Sequence, residues 1–217
     1  MGLTYTTLAS DTMHRANVNP LNNPPWSTTD GIAPLQIVNN EACCTAGESI
    51  GVYTGIAWPN NQWSQCQADA CKFVTQVGFD FASIIVVGRR LNAINAYAFE
   101  MDGPLGAACN YSFFKLVAGA TTTFSAGTLA IHAGDVIRLE CFGTTISALV
   151  NGAVISSVTD TTFTSGNMAV DLFETSSSPA ITDAQFSNFS GGSITGGSSA
   201  SSWVTTNLNN SMRGLRK

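Results

Sequence analysis

The chain has 217 residues, of which 44% are hydrophobic and only 11% charged. That length holds one sandwich-sized domain with an appendage, and so low a charge leaves Ser, Thr, Asn and Gly to cover the surface. The formal net charge of −5 supplies no basic stripe for nucleic acid, and no apolar run approaches the ~18 residues of a membrane-crossing helix.

From the N-terminus, MGLTYTTLASDTMHRANVNP lacks the basic n-region and apolar h-region of a secretory signal, so synthesis in a cytoplasm without general export is expected. Helical periodicity is absent, and short β-type runs broken by Gly, Asn, Pro or Ser recur instead. Strands are predicted at Leu35–Val38, Ile50–Thr54, Trp63–Ala68, Phe73–Phe81, Ser83–Val87, Ala96–Met101, Ser112–Ala118 and Thr121–Phe124. The most ordered stretch is GDVIRLECFGTTISALVNG, residues 134–152. Ile137, Leu139 and Cys141 share one parity there, while Val136, Arg138 and Glu140 share the other. Arg138 and Glu140 read as solvated charges on a strand face. Asn151-Gly152 is a type I′ hairpin signal, because both central residues of that turn take positive φ. Residues 135–158 thus read as three consecutive antiparallel strands, followed by Met168–Phe173 and Ala184–Phe189.

Beyond Phe189 the composition changes. SGGSITGGSSASS, residues 190–202, reads as a flexible linker, and WVTTNLNNSMRGLRK follows it. The 14 acidic and 6 basic residues up to position 190 give −8, whereas the remainder carries no acid and three bases, giving +3. A basic, partly apolar terminus on an acidic body suggests docking. The expected division is a β-sandwich over 1–190 and a linker with docking arm over 191–217. Trp203, Leu208, Met212, Arg213, Leu215, Arg216 and Lys217 are the arm's candidate contacts.

Six cysteines stand at positions 43, 44, 66, 71, 109 and 141 without a C-x-x-C pair, and there are only two histidines. A zinc site is not expected. In a reducing compartment the thiols would act as small buried hydrophobes, whereas an oxidising one would allow Cys66 and Cys71 to close a short loop.

The string GDVIRLECFGTTISALVNGAVISSVTDTTFTSG (134–166) resembles the late strands of the concanavalin A-like, laminin-G-like jelly-roll superfamily. DTMHRANVNPL (11–21), LQIVNNEA (35–42), WPNNQWSQCQ (58–67) and ITDAQFSNFSGG (181–192) agree with it. The resemblance covers roughly residues 11–192 and implies an all-β antiparallel sandwich, here with an extended C-terminal arm. It says little of function, because the superfamily includes lectins, glycanases, lyases, adhesion modules and virion proteins.

Glu100-Met101-Asp102 resembles the start of the E-x-D-x-x-E motif of laminarinase-like hydrolases, but Leu105 stands where the third acid belongs. Two carboxylates flanking a cleft are the minimum for glycoside hydrolysis, and a charged strand end before a turn explains the pair equally well. Gly47-Glu48-Ser49-Ile50-Gly51 matches a nucleophile elbow only in letters, because no helix follows. His132, Arg89, Arg90 and Lys115 have no lyase-like spacing. Calcium, common in laminin-G-like domains, would look to Asp160, Asp171 or Asp183. Trp26, Trp58 and Trp63 are the candidate sugar-stacking rings, or else core residues.

No catalytic residue and no resident cofactor are assigned. The expected function is a non-enzymatic structural or adhesion protein of a bacteriophage particle, a capsid decoration or tail-associated knob. Its partners would be capsid or tail proteins and further copies of itself. The alternative is a lectin-like glycan-binding module, in an extracellular setting, with a glycoside hydrolase or lyase of the same fold behind it.

Overall fold

The computed structural model describes residues 2–21, 24–28, 31–45, 47–71, 82–174 and 183–196. Among these there is no helix. The first eight strands are β1 (Leu3–Asp11), β2 (Trp26–Ser27), β3 (Ala33–Pro34), β4 (Gln36–Val38), β5 (Glu41–Cys43), β6 (Glu48–Tyr53), β7 (Gln62–Cys71) and β8 (Ala82–Asn92). The rest are β9 (Asn95–Asp102), β10 (Ala107–Val117), β11 (Ala120–Ile131), β12 (Val136–Phe142), β13 (Thr145–Val150), β14 (Ala153–Thr159), β15 (Asn167–Glu174) and β16 (Ala184–Gly196).

Two eight-stranded sheets form a sandwich. The first runs β14-β13-β12-β7-β16, with β5, β4 and β1 along the far side of β16; the second runs β11-β10-β9-β8-β15-β6, with β2 and β3 on β6. All pairings are antiparallel except the two-residue β3 against β6. The β12–β14 meander follows the predicted alternation, with Asn151 at φ 50° and Gly152 at φ 78° making the tight turn.

The core lies between the inward parities of the two sheets. Ile137, Leu139 and Cys141 of β12 meet Tyr97, Phe99 and Met101 of β9, together with Phe113, Val170, Leu172 and Phe186. Burial of each large side chain contributes about 2 kcal/mol. Gly88 on β8 leaves room for Leu139 and Cys141 to cross from the other sheet; a Cβ there would meet Leu139 at 2.9 Å. At one end Arg89, only 1% exposed, donates to the carbonyls of Asn60, Phe163 and Gly143 and ties three loops together.

Two features depart from the sequence reading. β1 has no counterpart among the predicted strands, and residues 190–196, read as linker, continue β16 and pair with β1 from Leu3↔Gly196 to Asp11↔Phe189. The glycines that suggested flexibility permit close packing instead: a Cβ on Gly192 would lie 1.8 Å from the Thr6 carbonyl oxygen, and one on Gly191 would lie 2.8 Å from the Trp58 ring. The predicted Phe73–Phe81 strand lies outside the described residues, as do the arm residues Trp203, Leu208, Met212, Arg213, Leu215, Arg216 and Lys217. All six cysteines are buried and unbridged, and burial raises the thiol pKa, for Cys71 to about 12.

Candidate functional site

A strand shows alternate residues to opposite faces, so each sheet has an outer face whose residues the register identifies. On the second sheet, β9 turns Tyr97, Phe99 and Met101 into the core and therefore Ala96, Ala98, Glu100 and Asp102 outward. Ile85 of β8 is the cross-strand neighbour of Glu100 on one side and of Asp171 (β15) on the other. Ile50 continues this row beyond Asp171. The adjacent outward row holds Glu48, Phe173, Ser83 and Asp102. Four carboxyls from three strands thus gather on one face. Glu100 and Asp171 are two strands apart, roughly 10 Å between backbones.

Beside them is a shallow depression of about 370 Å³, part of it open solvent, whose lining includes Ile85, Val87, Ala98, Phe114, Arg90 and Asp171. A flat apolar floor next to clustered acceptors suits a ligand with both C–H faces and polar edges. Burial, then the charge of Asp102, raises Glu100 to about pKa 7. Burial raises Asp102 as well. Asp171 is pushed well above the usual carboxylate range by burial and by the charges of Glu48 and Glu100, which Arg90 offsets in part. Asp171 is 9% exposed, and its Oδ1 has no hydrogen-bond partner, as is true of Asp102 Oδ1.

Leu105, at the third position of the incomplete acid motif, packs against the core, so β9 supplies no third outward acid. Asp171 and Glu48 come from other strands. They lie 71 and 52 positions away from Glu100 in the chain, which is why motif spacing could not reveal them. Ser49 is fully buried on β6, and its hydroxyl accepts from the Thr45 amide at 2.9 Å; it is no nucleophile elbow. The three candidate calcium aspartates do not converge. Asp160 is bonded to Lys115 at 2.6 Å and to Tyr97 at 2.6 Å near the sandwich end. Among the described residues no three His, Cys, Asp or Glu side chains form a metal site.

The three candidate tryptophans occupy three different environments. Trp26 is a core residue, contrary to its reading as a sugar platform: it is 1% exposed, donates from Nε1 to Asp11 Oδ2 at 2.8 Å and packs edge-on to Tyr53 and Phe189. Trp58 is half-buried, with Nε1 donating to the Tyr53 carbonyl at 2.7 Å. Trp63 lies on the outer face of the first sheet, yet it is only 5% exposed. There the Arg138 guanidinium lies 4.3 Å from the centre of the Trp63 ring and 4.2 Å from that of Tyr5. Arg138 Nη2 approaches Glu140 Oε1 at 2.8 Å, and the Tyr5 hydroxyl donates to Glu140 Oε2 at 3.2 Å. Arg138 and Glu140 are therefore a covered, stacked pair and not solvated strand charges.

No protein-family model matches the chain, and no curated protein matches it in sequence. Solved structures do match its shape. The endo-beta-1,3-glucanase from Pyrococcus furiosus superposes with a TM-score of 0.57 at 13% identity, over 89% of this chain and 96% of that one. The CBM2 module of the evolved Dit of Lactobacillus casei BL23 phage J-1 gives 0.53 at 8% identity, over 88% and 96%. The carbohydrate recognition domain of Emp47p gives 0.53 at 10% identity, over 85% and 94%. At such identities the likeness is one of fold, and the described part of this chain is a concanavalin A-like jelly roll.

Proposed function

We propose that the chain is a glycan-binding module that uses the outer face of its second sheet. The observation that carries this reading is the juxtaposition there of an apolar floor (Ile85, Val87, Ala98, Phe114) with carboxyls from three strands. Sugar hydroxyls donate to carboxylates, while the C–H face of a pyranose packs on apolar and aromatic carbon. The carbohydrate-binding module and the recognition domain that share the fold support it. Titration calorimetry against a panel of neutral and charged oligosaccharides tests it. Phe114→Ala is expected to weaken the best ligand about tenfold, equivalent to 1.4 kcal/mol, with the fold retained. Absence of binding to every glycan in the panel defeats the proposal.

The sequence expectation of a bacteriophage particle supplies a setting for such a module. A virion-borne sandwich would hold the particle to cell-surface glycan while residues 197–217 engage a capsid or tail protein. Loss of the chain from purified particles on deletion of 197–217 is the expected result, and full occupancy by the truncated chain overturns it.

A second reading, glycan cleavage, is favoured by one observation: Glu100 holds its proton to about pH 7 beside Asp102, as a general acid must. Release of reducing ends that disappears in Glu100→Gln would establish it.

A further inference from the structure

We propose that the ligand of the second-sheet face is a glycan carrying a protonated amine, an unacetylated hexosamine unit whose ammonium sits between Asp171 and Glu100 above Ile85. This inference rests on the glycan-binding reading and names the ligand class of that site. Glu48 faces the position from β6, Asp171 from β15, Glu100 and Asp102 from β9, and Arg90 from β8. Four acids face one cation among the described residues of that face, so they cannot all ionise cheaply without a further positive charge. Like charges gathered on a half-buried surface are costly unless an opposite charge joins them.

An unsatisfied atom points the same way. Asp171 is nine-tenths buried and lines the depression, and its Oδ1 lacks a donor. A buried acceptor without a donor is costly, and an ammonium brings three donors together with the charge that the site lacks. A sugar hydroxyl brings one donor and no charge. A uronate or sulfated sugar would add a fifth acidic group to that crowd and is disfavoured on the same ground. The apolar floor beside Asp171 serves any pyranose, so it is the acid cluster that selects the amine.

Burial and the neighbouring carboxylates raise Glu100 to about pKa 7 and push Asp171 above the ordinary carboxylate range. An incoming ammonium lowers these raised values, so binding near pH 7 releases protons from Glu100 to the buffer. The heat of binding then changes with the buffer's ionisation enthalpy.

The experiment is calorimetry of the full chain with a glucosamine tetramer, its N-acetylated counterpart and a neutral β-glucan tetramer, repeated in two buffers of different ionisation enthalpy. The expected result is at least tenfold tighter binding of the free amine, with proton release. Asp171→Asn should lose that preference while keeping whatever affinity it has for the neutral tetramer. Glu100→Gln should reduce the preference and provides a second variant should Asp171→Asn fold poorly. Equal binding of amine and acetylated tetramers, or a preference unchanged in both variants, overturns the inference and leaves glycan binding standing. Failure of all three tetramers, and of the wider panel, removes both.

Discussion

On the outer face of the first sheet, Arg138 and Glu140 stand side by side on β12, enclosed by Tyr5 and Trp63. On the outer face of the second, Glu48, Asp171, Glu100 and Asp102 gather beside an apolar depression, and Arg90 is the cation whose charge reaches Asp171. The first arrangement pairs its charges internally: the cation occupies the ring faces, and the acid takes the cation and the Tyr5 hydroxyl, while Trp63 Nε1 and Arg138 Nε are left without acceptors. The second gathers four acids against one cation and leaves Asp171 Oδ1 without a donor. Aromatic residues alone would have pointed to the first face as the sugar platform. Charge accounting points to the second.

If the first face is structural, breaking it should cost stability and spare binding. Trp63→Ala carries the largest expected effect, a loss of about 4 kcal/mol, because it removes a buried ring and the cover over the ion pair. Denaturant unfolding measures it, and a loss under about 1 kcal/mol would mean that Trp63 is not a packed residue. Arg138→Met comes next. Glu140 is 6% exposed, so removing its cation leaves a covered carboxylate unpaired at about 3 kcal/mol. Adding Glu140→Gln should recover most of that loss, since an isosteric neutral pair no longer holds a lone charge. Additive losses in the double variant would show that the two groups are not coupled. Neither variant should alter glycan affinity.

Most of the sandwich was legible in the chain because alternation writes itself residue by residue. Ile137, Leu139 and Cys141 against Arg138 and Glu140, and the Asn151-Gly152 turn, are local signals that the fold obeys. β1 was not legible, since LTYTTLASD has six exposed residues in succession from Leu3 and no buried parity to reveal it. The end of β16 was hidden for a different reason. Gly191 and Gly192 look like linker glycines, and only the distances to Trp58 and Thr6 show that side chains have no room there. Of the candidate site, Glu100 and Asp102 were visible as an incomplete motif. Asp171 and Glu48 were not, because they join it through sheet register and not through spacing. Trp26 and Trp58 could not be sorted from Trp63 by sequence, because a ring beside a proline-rich loop has the same letters whether it turns in or out.

The smallest of the three stability effects has the opposite sign and distinguishes the faces most cleanly. Glu100 is held protonated to about pH 7, against an ordinary value of 4.5. Between those values the folded chain binds more protons than the unfolded chain, so this group's contribution to stability falls as pH rises. Below about pH 4.5 both states are protonated and no penalty exists; above pH 7 the full penalty applies. At 1.36 kcal/mol per pH unit the shift corresponds to roughly 3 kcal/mol at most. Glu100→Gln should therefore raise unfolding stability by roughly 2 kcal/mol at pH 8 and leave it nearly unchanged at pH 4. The same variant should lose preference for the amine-bearing tetramer, so that one substitution strengthens the fold and weakens the site. Such opposition is expected where charge is kept for a ligand and not for the fold. Stability at pH 8 that is unchanged or lower in Glu100→Gln would mean that the acids on this face are already balanced, and the contrast between the two faces would fail.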